Sequence, residues 1–527
     1  MTLLKRIFLQ LRITICLCPM LFLPVQNAYC QIKNVILMIG DGMGPQQVAL
    51  ALLYQQVQSQ RDSQIPMLAL QRIMQQGEVG LMMTQPYQKL VVDSACSASQ
   101  LATGQYSRSE MIALDKEGNP LPTILEKAKL QGKSVGLVSD TRITHATPAS
   151  FATHVAHRHQ ENEIAEQLLE AQVDVLLSGG LRYFLPNTMN KTTTDKLRQL
   201  IPPRLSLKSK RKDNKNLILR AKQQNYDLVF NRNQLLETTY NPHKKLLGLF
   251  TSSAMPDAIK AVQNKRSIPS LSEMSQVAIN RLAKNPQGFF LMIEAGQIDW
   301  AGHANDVGTL LHEMLRFNQA LQAVMQWVDG RDDTLLVVTA DHETGSFGFT
   351  YSSFEVPKAT SLTGSQFRNR SFKANYNFAS PNILFKIYRQ KMSLHNLVRK
   401  FKKLPRNKQT ASQLMHLVNA NLAFKITRQQ AVQLIQQDQQ RVNQTTGLLI
   451  SNVTQYFYPY SVNAFAAAIA RAISPQQSVV WGTGTHTSTP VPVIAYGQPD
   501  KVIKQFDGMH HSTEIGRLMM ELFLKKQ

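Results

Sequence analysis

Along this chain, short unbroken apolar runs stop abruptly at acidic, glycine or histidine residues. The clearest are KNVILMIGDGMG (33–44), GFFLMIEAGQIDWAGH (288–303) and TLLVVTADHETG (334–345); SVGLVSD (134–140) and VDVLLSGG (173–180) share the shape. Each run is too short for a free-standing helix and too continuous for a half-exposed strand, so each reads as a strand buried on both faces. Helical periodicity lies between them, over 160–172, 271–284 and 308–328. Strands alternating with helices predict an α/β fold, a three-layer sandwich with a large, mostly parallel central sheet and helices on both faces. Polar residues at the strand ends then gather at the carboxyl edge of that sheet, where such folds place their sites.

Between about 350 and 478 the pattern changes to basic, Gln-rich helical stretches such as 411–440, without strand-end acids. This region reads as a cap inserted into the main domain, and 186–246 as a second, weaker insertion. At the N-terminus, Lys5, Arg6 and Arg12 precede an apolar run interrupted by Pro19 and followed by Ala28-Tyr29-Cys30. A membrane anchor needs about 20 apolar residues, so 1–30 reads as a cleaved secretory signal, with one domain over 31–527. Export to the periplasm or beyond is therefore expected. A lipoprotein reading of Cys30 is disfavoured, because Asn27-Ala28-Tyr29 stand where Leu and a small residue are expected. Cleavage would leave Cys96 as the sole cysteine and no internal disulfide.

At 527 residues with 43% hydrophobic content the chain can bury a large core, which excludes a disordered protein. Its formal charge is +23, of which the three basic leader residues supply a small part. The excess favours anionic partners such as phosphate esters and lipid headgroups. It is concentrated in PPRLSLKSKRKDNK (202–215) and VRKFKKLPRNK (398–408). Neither run shows an interleaved aromatic pattern or a base-reading motif, so sequence-specific nucleic-acid binding is not expected. Weak attachment to an anionic envelope surface is.

Collecting the strand-end residues gives Asp41, Glu294, Asp299, His303, Asp341 and His342, joined by His486 in the loop WGTGTHTSTP. Each alone is commonplace. Together they are four carboxylates and three imidazoles at one sheet edge, and buried charges need partners. Zinc favours His nitrogen with carboxylate oxygen, magnesium oxygen alone. Asp299 and His303 are four apart, on one face of a helical turn, and with His486 form one candidate zinc site. Asp341, His342 and Asp41 form a second. Two such metals about 4 Å apart clamp the attacking and leaving oxygens of an in-line displacement.

The ordered motifs IGDGMG, DSACSAS, THATPASFATHVAHR, EAGQIDWAGHAND, TADHETG and GTGTHTS span residues 39–488, and together they closely resemble the alkaline phosphatases. The resemblance implies phosphate-monoester hydrolysis through a covalent phosphoserine, two zinc ions, one magnesium ion and a homodimer. Ser94 matches the nucleophile, Asp93 its supporting acid and Arg158 the arginine that grips phosphate oxygens. Asp299, His303 and His486 match the ligands of the first zinc, and Asp41, Asp341 and His342 those of the second. Asp41, Thr147 and Glu294 match the magnesium site. Ser97 and Ser99 read as small packing residues of the same helix.

Three positions depart from the best-known bacterial pattern. His145 stands where some members carry Asp, Trp300 where some carry Lys, and Cys96 where Ala is usual. The first two bear on the phosphate-water network and on metal preference beside Thr147. Cys96 reads as a packing residue, since a functional thiol requires exposure. The rival readings are a related metal-dependent phosphodiesterase or sulfatase, and an exported binding protein that keeps the fold without catalysis.

Overall fold

The computed structural model describes residues 32–264, 267–368, 370–443, 457–497 and 500–524, so the expected leader over 1–30 lies outside the described residues. The long apolar runs become strands. They are β1 (Asn34–Gly40), β3 (Ser134–Arg142), β4 (Val175–Gly179), β7 (Phe289–Ala295) and β8 (Thr334–Thr339), joined by β2 (Glu78–Met83), β5 (Tyr226–Val229) and β6 (Lys245–Leu249), which the apolar pattern does not single out. With the later strands Val491–Tyr496 and Gly508–His511 they make one ten-stranded sheet. Its order is Gly508–His511, β2, Val491–Tyr496, β8, β1, β7, β3, β4, β6, β5. Every pairing is parallel except the two made by Val491–Tyr496.

Strands β1, β7 and β8 are buried at every position, which is why their sequences are continuous rather than alternating. Successive side chains still face opposite ways. Phe289 meets Trp327 of the helix Val307–Val328 with ring centroids 5.5 Å apart, while Phe290 meets Phe523 of the helix Ser512–Phe523 at 6.3 Å. Helices therefore cover both faces, giving the expected three layers.

The register brings the strand ends level. Ile39 lies opposite Glu294 on one side and Thr339 on the other, and Ser139 lies opposite Glu294. The chain leaves β1, β3, β7 and β8 at one height, so the residues after each strand converge. In β3 the pairing with β4 shifts between Val138 and Arg142, an irregularity that re-aims Ser139 and Thr141.

The segment read as an insertion over 186–246 contributes β5 to the edge of this sheet, so part of it is integral to the main domain. Over 350–478 the described residues carry five helices, Ile383–Tyr388, Leu394–Lys402, Ala411–Asn421, Arg428–Asn443 and Ala464–Gln477, and a two-residue hairpin at Thr360–Ser361 and Ser371–Phe372. Asp306, buried at the start of the helix Val307–Val328, ties this region down by accepting bonds from Gln390 Nε2 (2.7 Å) and Leu394 N (2.6 Å). Among the described residues no helix is long and apolar enough to cross a membrane.

Candidate active site

The sequence DSACSAS begins the helix Ser94–Thr103. Asp93 is its N-cap and accepts from Ala95 N (3.2 Å) and Cys96 N (3.3 Å), so Ser94 stands at the first turn among helix N–H groups. Asp93 also accepts from Glu110 N and from Arg158 Nη1, both at 2.8 Å. Burial alone would raise this carboxyl, but the Arg158 charge and these bonds hold it below the usual carboxylate range. Arg158 is thereby fixed in orientation while its Nη2 lies 3.4 Å from His145 Nε2. Ser97 and Ser99 are buried and bond to carbonyls, Ser97 to Asp341 O and Ser99 to Ala95 O, both at 2.6 Å. Of the three serines only Ser94 turns its hydroxyl to the clustered imidazoles, 3.1 Å from His342 Nε2.

The strand-end carboxylates share one arrangement, in which donors occupy one oxygen and leave the other without a hydrogen bond. Asp341 Oδ1 accepts from Gly42 N (3.1 Å) and His342 N (3.0 Å), and Oδ2 has no hydrogen bond. Glu294 Oε2 accepts from the hydroxyls of Ser139 and Thr141, and Oε1 has none. Asp41 Oδ2 has Thr147 Oγ1 at 3.5 Å, and Oδ1 has none. Burial, and then the Asp341, Asp299 and Glu294 carboxylates, push the Asp41 carboxyl well above its usual range. The turn after β1 permits this approach only with glycine. Gly42 has φ +77°, and a Cβ there would sit 2.8 Å from Asp299 Cα.

The histidines carry the same message in their tautomers. His303 Nδ1 donates to Gly484 O and His486 Nδ1 to Val92 O, both at 2.8 Å. A carbonyl only accepts, so both Nδ1 atoms hold protons and both rings turn Nε2 inward. Those two Nε2 atoms lie 3.2 Å apart beside Asp299, whose Oδ2 is 3.1 Å from His303 Nε2. Two like Nε2 atoms conflict at this distance, lone pair against lone pair or N–H against N–H. A hydrogen bond between them requires one charged ring and one neutral ring, whereas a cation held by both satisfies the pair without that asymmetry. Thr344 Oγ1 donates to Asp299 Oδ1 (2.5 Å) and lies 3.3 Å from His342 Nδ1, an arrangement that turns His342 Nε2 toward Ser94.

Three groups thus bring ligand atoms within 4.8 Å of one another: Asp299, His303 and His486; Asp41, Asp341 and His342; and Asp41, His145 and Glu294. The orphaned oxygens and inward Nε2 atoms fit bound cations. Asp299, His303 and His486 of the first group and His145 of the third line one cavity of about 800 Å³ that also exposes Ser94, Arg158 and Trp300.

A profile of the alkaline phosphatase family matches residues 32–525. The chain belongs to the alkaline phosphatase family. It is 36% identical over 325 residues to alkaline phosphatase 3 of Bacillus subtilis, an alignment covering 60% of this chain and 62% of that protein. To the human tissue-nonspecific alkaline phosphatase it is 32% identical over 365 residues, covering 63% and 66%. These alignments span somewhat under two thirds of the curated relatives' own length. The crystal structure of Thermus thermophilus alkaline phosphatase superposes with a TM-score of 0.75 at 27% identity, over 94% of this chain and 92% of that one.

Within this alkaline phosphatase fold, each of the three departures has a defined place. His145 joins Asp41 and Glu294 with Nδ1 lacking a hydrogen bond, and burial lowers its pKa, so it offers a neutral nitrogen to the third group. Trp300 stands edge-on to His145 at 5.8 Å. Cys96 is fully buried, and burial, then Asp93, push its thiol well above the usual value, so it is a packing residue. Several participants left no strand-end signal in the sequence. Thr344, Ser139 and Thr141 orient the carboxylates. Tyr460, from the inserted region, stands edge-on to His303 at 4.6 Å, and burial, then Asp299, push its phenol up to about 12, so it remains an O–H donor.

Proposed function

We propose that this protein hydrolyses phosphate monoesters to an alcohol and inorganic phosphate through a covalent phosphoserine on Ser94. The observation that carries the reading is Ser94 Oγ lying 3.1 Å from His342 Nε2, in one cavity with an arginine whose other face is pinned by Asp93. Family membership supports the same reaction.

Asp299, His303 and His486 are the ligand set for one zinc, and Asp41, Asp341 and His342 for a second. Asp41, Thr147 and Glu294 are the set for magnesium, with His145 alongside. Bound there, the ions supply charge neutralisation and lower the pKa of adjoining hydroxyl groups. The chain's own groups do the rest. Arg158 binds two phosphate oxygens with its planar fork, and Asp93 keeps that fork from swinging away. The helix N–H groups beside Ser94 favour the dianion. Ser94 Oγ forms a bond to phosphorus as the ester oxygen departs, taking up a proton as the alcohol. Water then attacks the phosphoserine from the opposite side, releasing phosphate and restoring the Ser94 hydroxyl. Positioning and charge neutralisation suffice for such transfer.

Hydrolysis of p-nitrophenyl phosphate by purified protein, with and without chelator, tests this. Ser94→Ala should cost at least about 10³-fold in kcat while metal content is retained. A zinc-loaded wild type without turnover would overturn the proposal in favour of a binding protein. On the same reading the enzyme is exported after leader cleavage, as the composition of 1–30 supports, and acts as a homodimer. The mature N-terminal sequence and sedimentation equilibrium check these two points.

A further inference from the structure

The basic run 398–408 forms the end of the helix Leu394–Lys402 and the turn after it, and the structure brings it beside the catalytic cavity. A second cavity of about 270 Å³ is lined by Lys260, Lys391, Arg399, Lys400 and Lys403, with Asp257 as its one carboxylate. The two cavities are contiguous, since Asp257, Lys260, Ser393, Asn396 and Arg399 line both.

Asp257 sets a single negative charge against these cations, and its oxygens also accept hydrogen bonds from neutral donors. Oδ1 accepts from Lys260 N (2.9 Å), and Oδ2 from Ser393 Oγ (2.9 Å) and Asn396 Nδ2. Asn396 in turn accepts from Arg399 Nη2 at 2.6 Å, which fixes the guanidinium at the boundary between the cavities. Basic residues at a helix C-terminus commonly serve the helix dipole, and Arg399, Lys400 and Lys402 occupy the last turn. That role does not account for the concentration here. Lys402 pairs with Asp438, whereas Lys391, Lys400 and Lys403 form no ion pair among the described residues and are exposed on the second cavity.

We infer that this annex is a leaving-group subsite for phosphomonoesters whose alcohol portion carries a further phosphate. The inference rests on the phosphatase reading: with one phosphoryl group at Ser94 and Arg158, the remainder of the ester extends into the shared cavity toward Arg399. A second phosphate there meets several cations against the single Asp257 carboxylate. Its recognition is electrostatic, so it discriminates by the charge of the leaving group.

The test compares adenosine 3′,5′-bisphosphate with adenosine 5′-monophosphate, which differ by one phosphate. The readout is the ratio of their kcat/KM values for phosphate release, measured for wild type and for the double variant Lys400→Glu/Lys403→Glu, two exposed positions that line only the annex. Reversing two charges should lower the ratio about tenfold or more, and added salt should shrink the wild-type preference. An unchanged ratio overturns the subsite. So does a variant that keeps the ratio but no longer sediments with phosphatidylglycerol vesicles, an outcome that assigns the charge to surface attachment instead. If wild type releases phosphate from neither nucleotide, the phosphatase reading fails by itself. Calorimetric binding of the bisphosphate then decides: tighter binding by wild type than by the variant sustains the annex, and equal binding removes it.

Discussion

At the scale of single residues, the site is organised by uncharged groups that hold charged ones by one atom and leave the other atom bare. Thr344 links two of the ligand groups. Its hydroxyl donates to Asp299 and lies beside His342 Nδ1, so one oxygen orients ligands from two of the three groups. Thr344→Val keeps the shape of the side chain and removes that oxygen. Partners of metal ligands typically cost about 10–100-fold in metal affinity or activity when lost. The variant should therefore show bound-metal content falling before the fold does, with activity partly restored by excess metal. Full metal occupancy together with wild-type kcat/KM would refute this role. His145 works through donor type instead: a nitrogen beside Asp41 and Glu294 is a softer donor than magnesium prefers. Thr344 and Ser139 were illegible in the sequence for a physical reason: a hydroxyl that positions a carboxylate carries no charge and has no fixed spacing. The seven ionisable residues Asp41, Glu294, Asp299, His303, Asp341, His342 and His486 were legible because each follows an apolar run or sits in a glycine-threonine loop, whereas Ser94, Arg158 and Thr147 were singled out only by the family resemblance.

At the scale of elements, Asp306 links the core to the inserted region. It caps the helix Val307–Val328, accepting from Thr309 N (3.1 Å) and Thr309 Oγ1 (2.7 Å), and also holds Gln390 and Leu394. It lies three residues after His303, so the same turn that carries a candidate ligand anchors the wall of the cavity. Asp306→Ala removes a cap and leaves buried donors unpaired, at a cost of about 2–4 kcal/mol. Urea unfolding measures it. A loss confined to a few tenths of a kcal/mol would mean that Gln390 and Leu394 find other partners. The strands that flank this turn could be read from the sequence because burial on both faces leaves an unbroken apolar run. Two others could not, one at the sheet edge and one inside the sheet. β5 has only four residues, two of them half-buried, which hides it within a polar segment. The strand Val491–Tyr496 carries Pro492, which argues against a central strand. It is tolerated because pairing with β8 begins only at Val493, beyond the residue that lacks an N–H.

At the scale of the whole molecule, the excess of positive charge sets how the protein meets acid. Lowering the pH protonates carboxylates and adds to a charge already at +23, so the native state depends on carboxylates that resist protonation. Glu161 is such a group. Burial would raise its pKa, but Arg142 outweighs this with bonds of 2.8 and 3.0 Å, joined by Thr144 (2.6 Å) and Tyr183 (2.8 Å), and the folded-state value falls below the ordinary 4.5. A depressed carboxylate contributes stability that is fully present above the unfolded-state value and is lost as pH falls through the folded-state value. Glu161→Gln retains the size and one acceptor but not the charge, and at pH 7 should cost about 2 kcal/mol. The difference should then narrow as pH drops below 4.5, because the wild-type residue becomes neutral too. Denaturant melts of both proteins between about pH 7 and 3 measure this, and parallel curves across that range would assign the acid sensitivity to other carboxylates. The contact joins β3, which leads to His145 and Thr147, to the turn Leu181–Tyr183 after β4. Acid unfolding through Glu161 would therefore loosen the sheet edge beside the third ligand group, and the proposed phosphatase activity should fail in acid together with the fold at this edge.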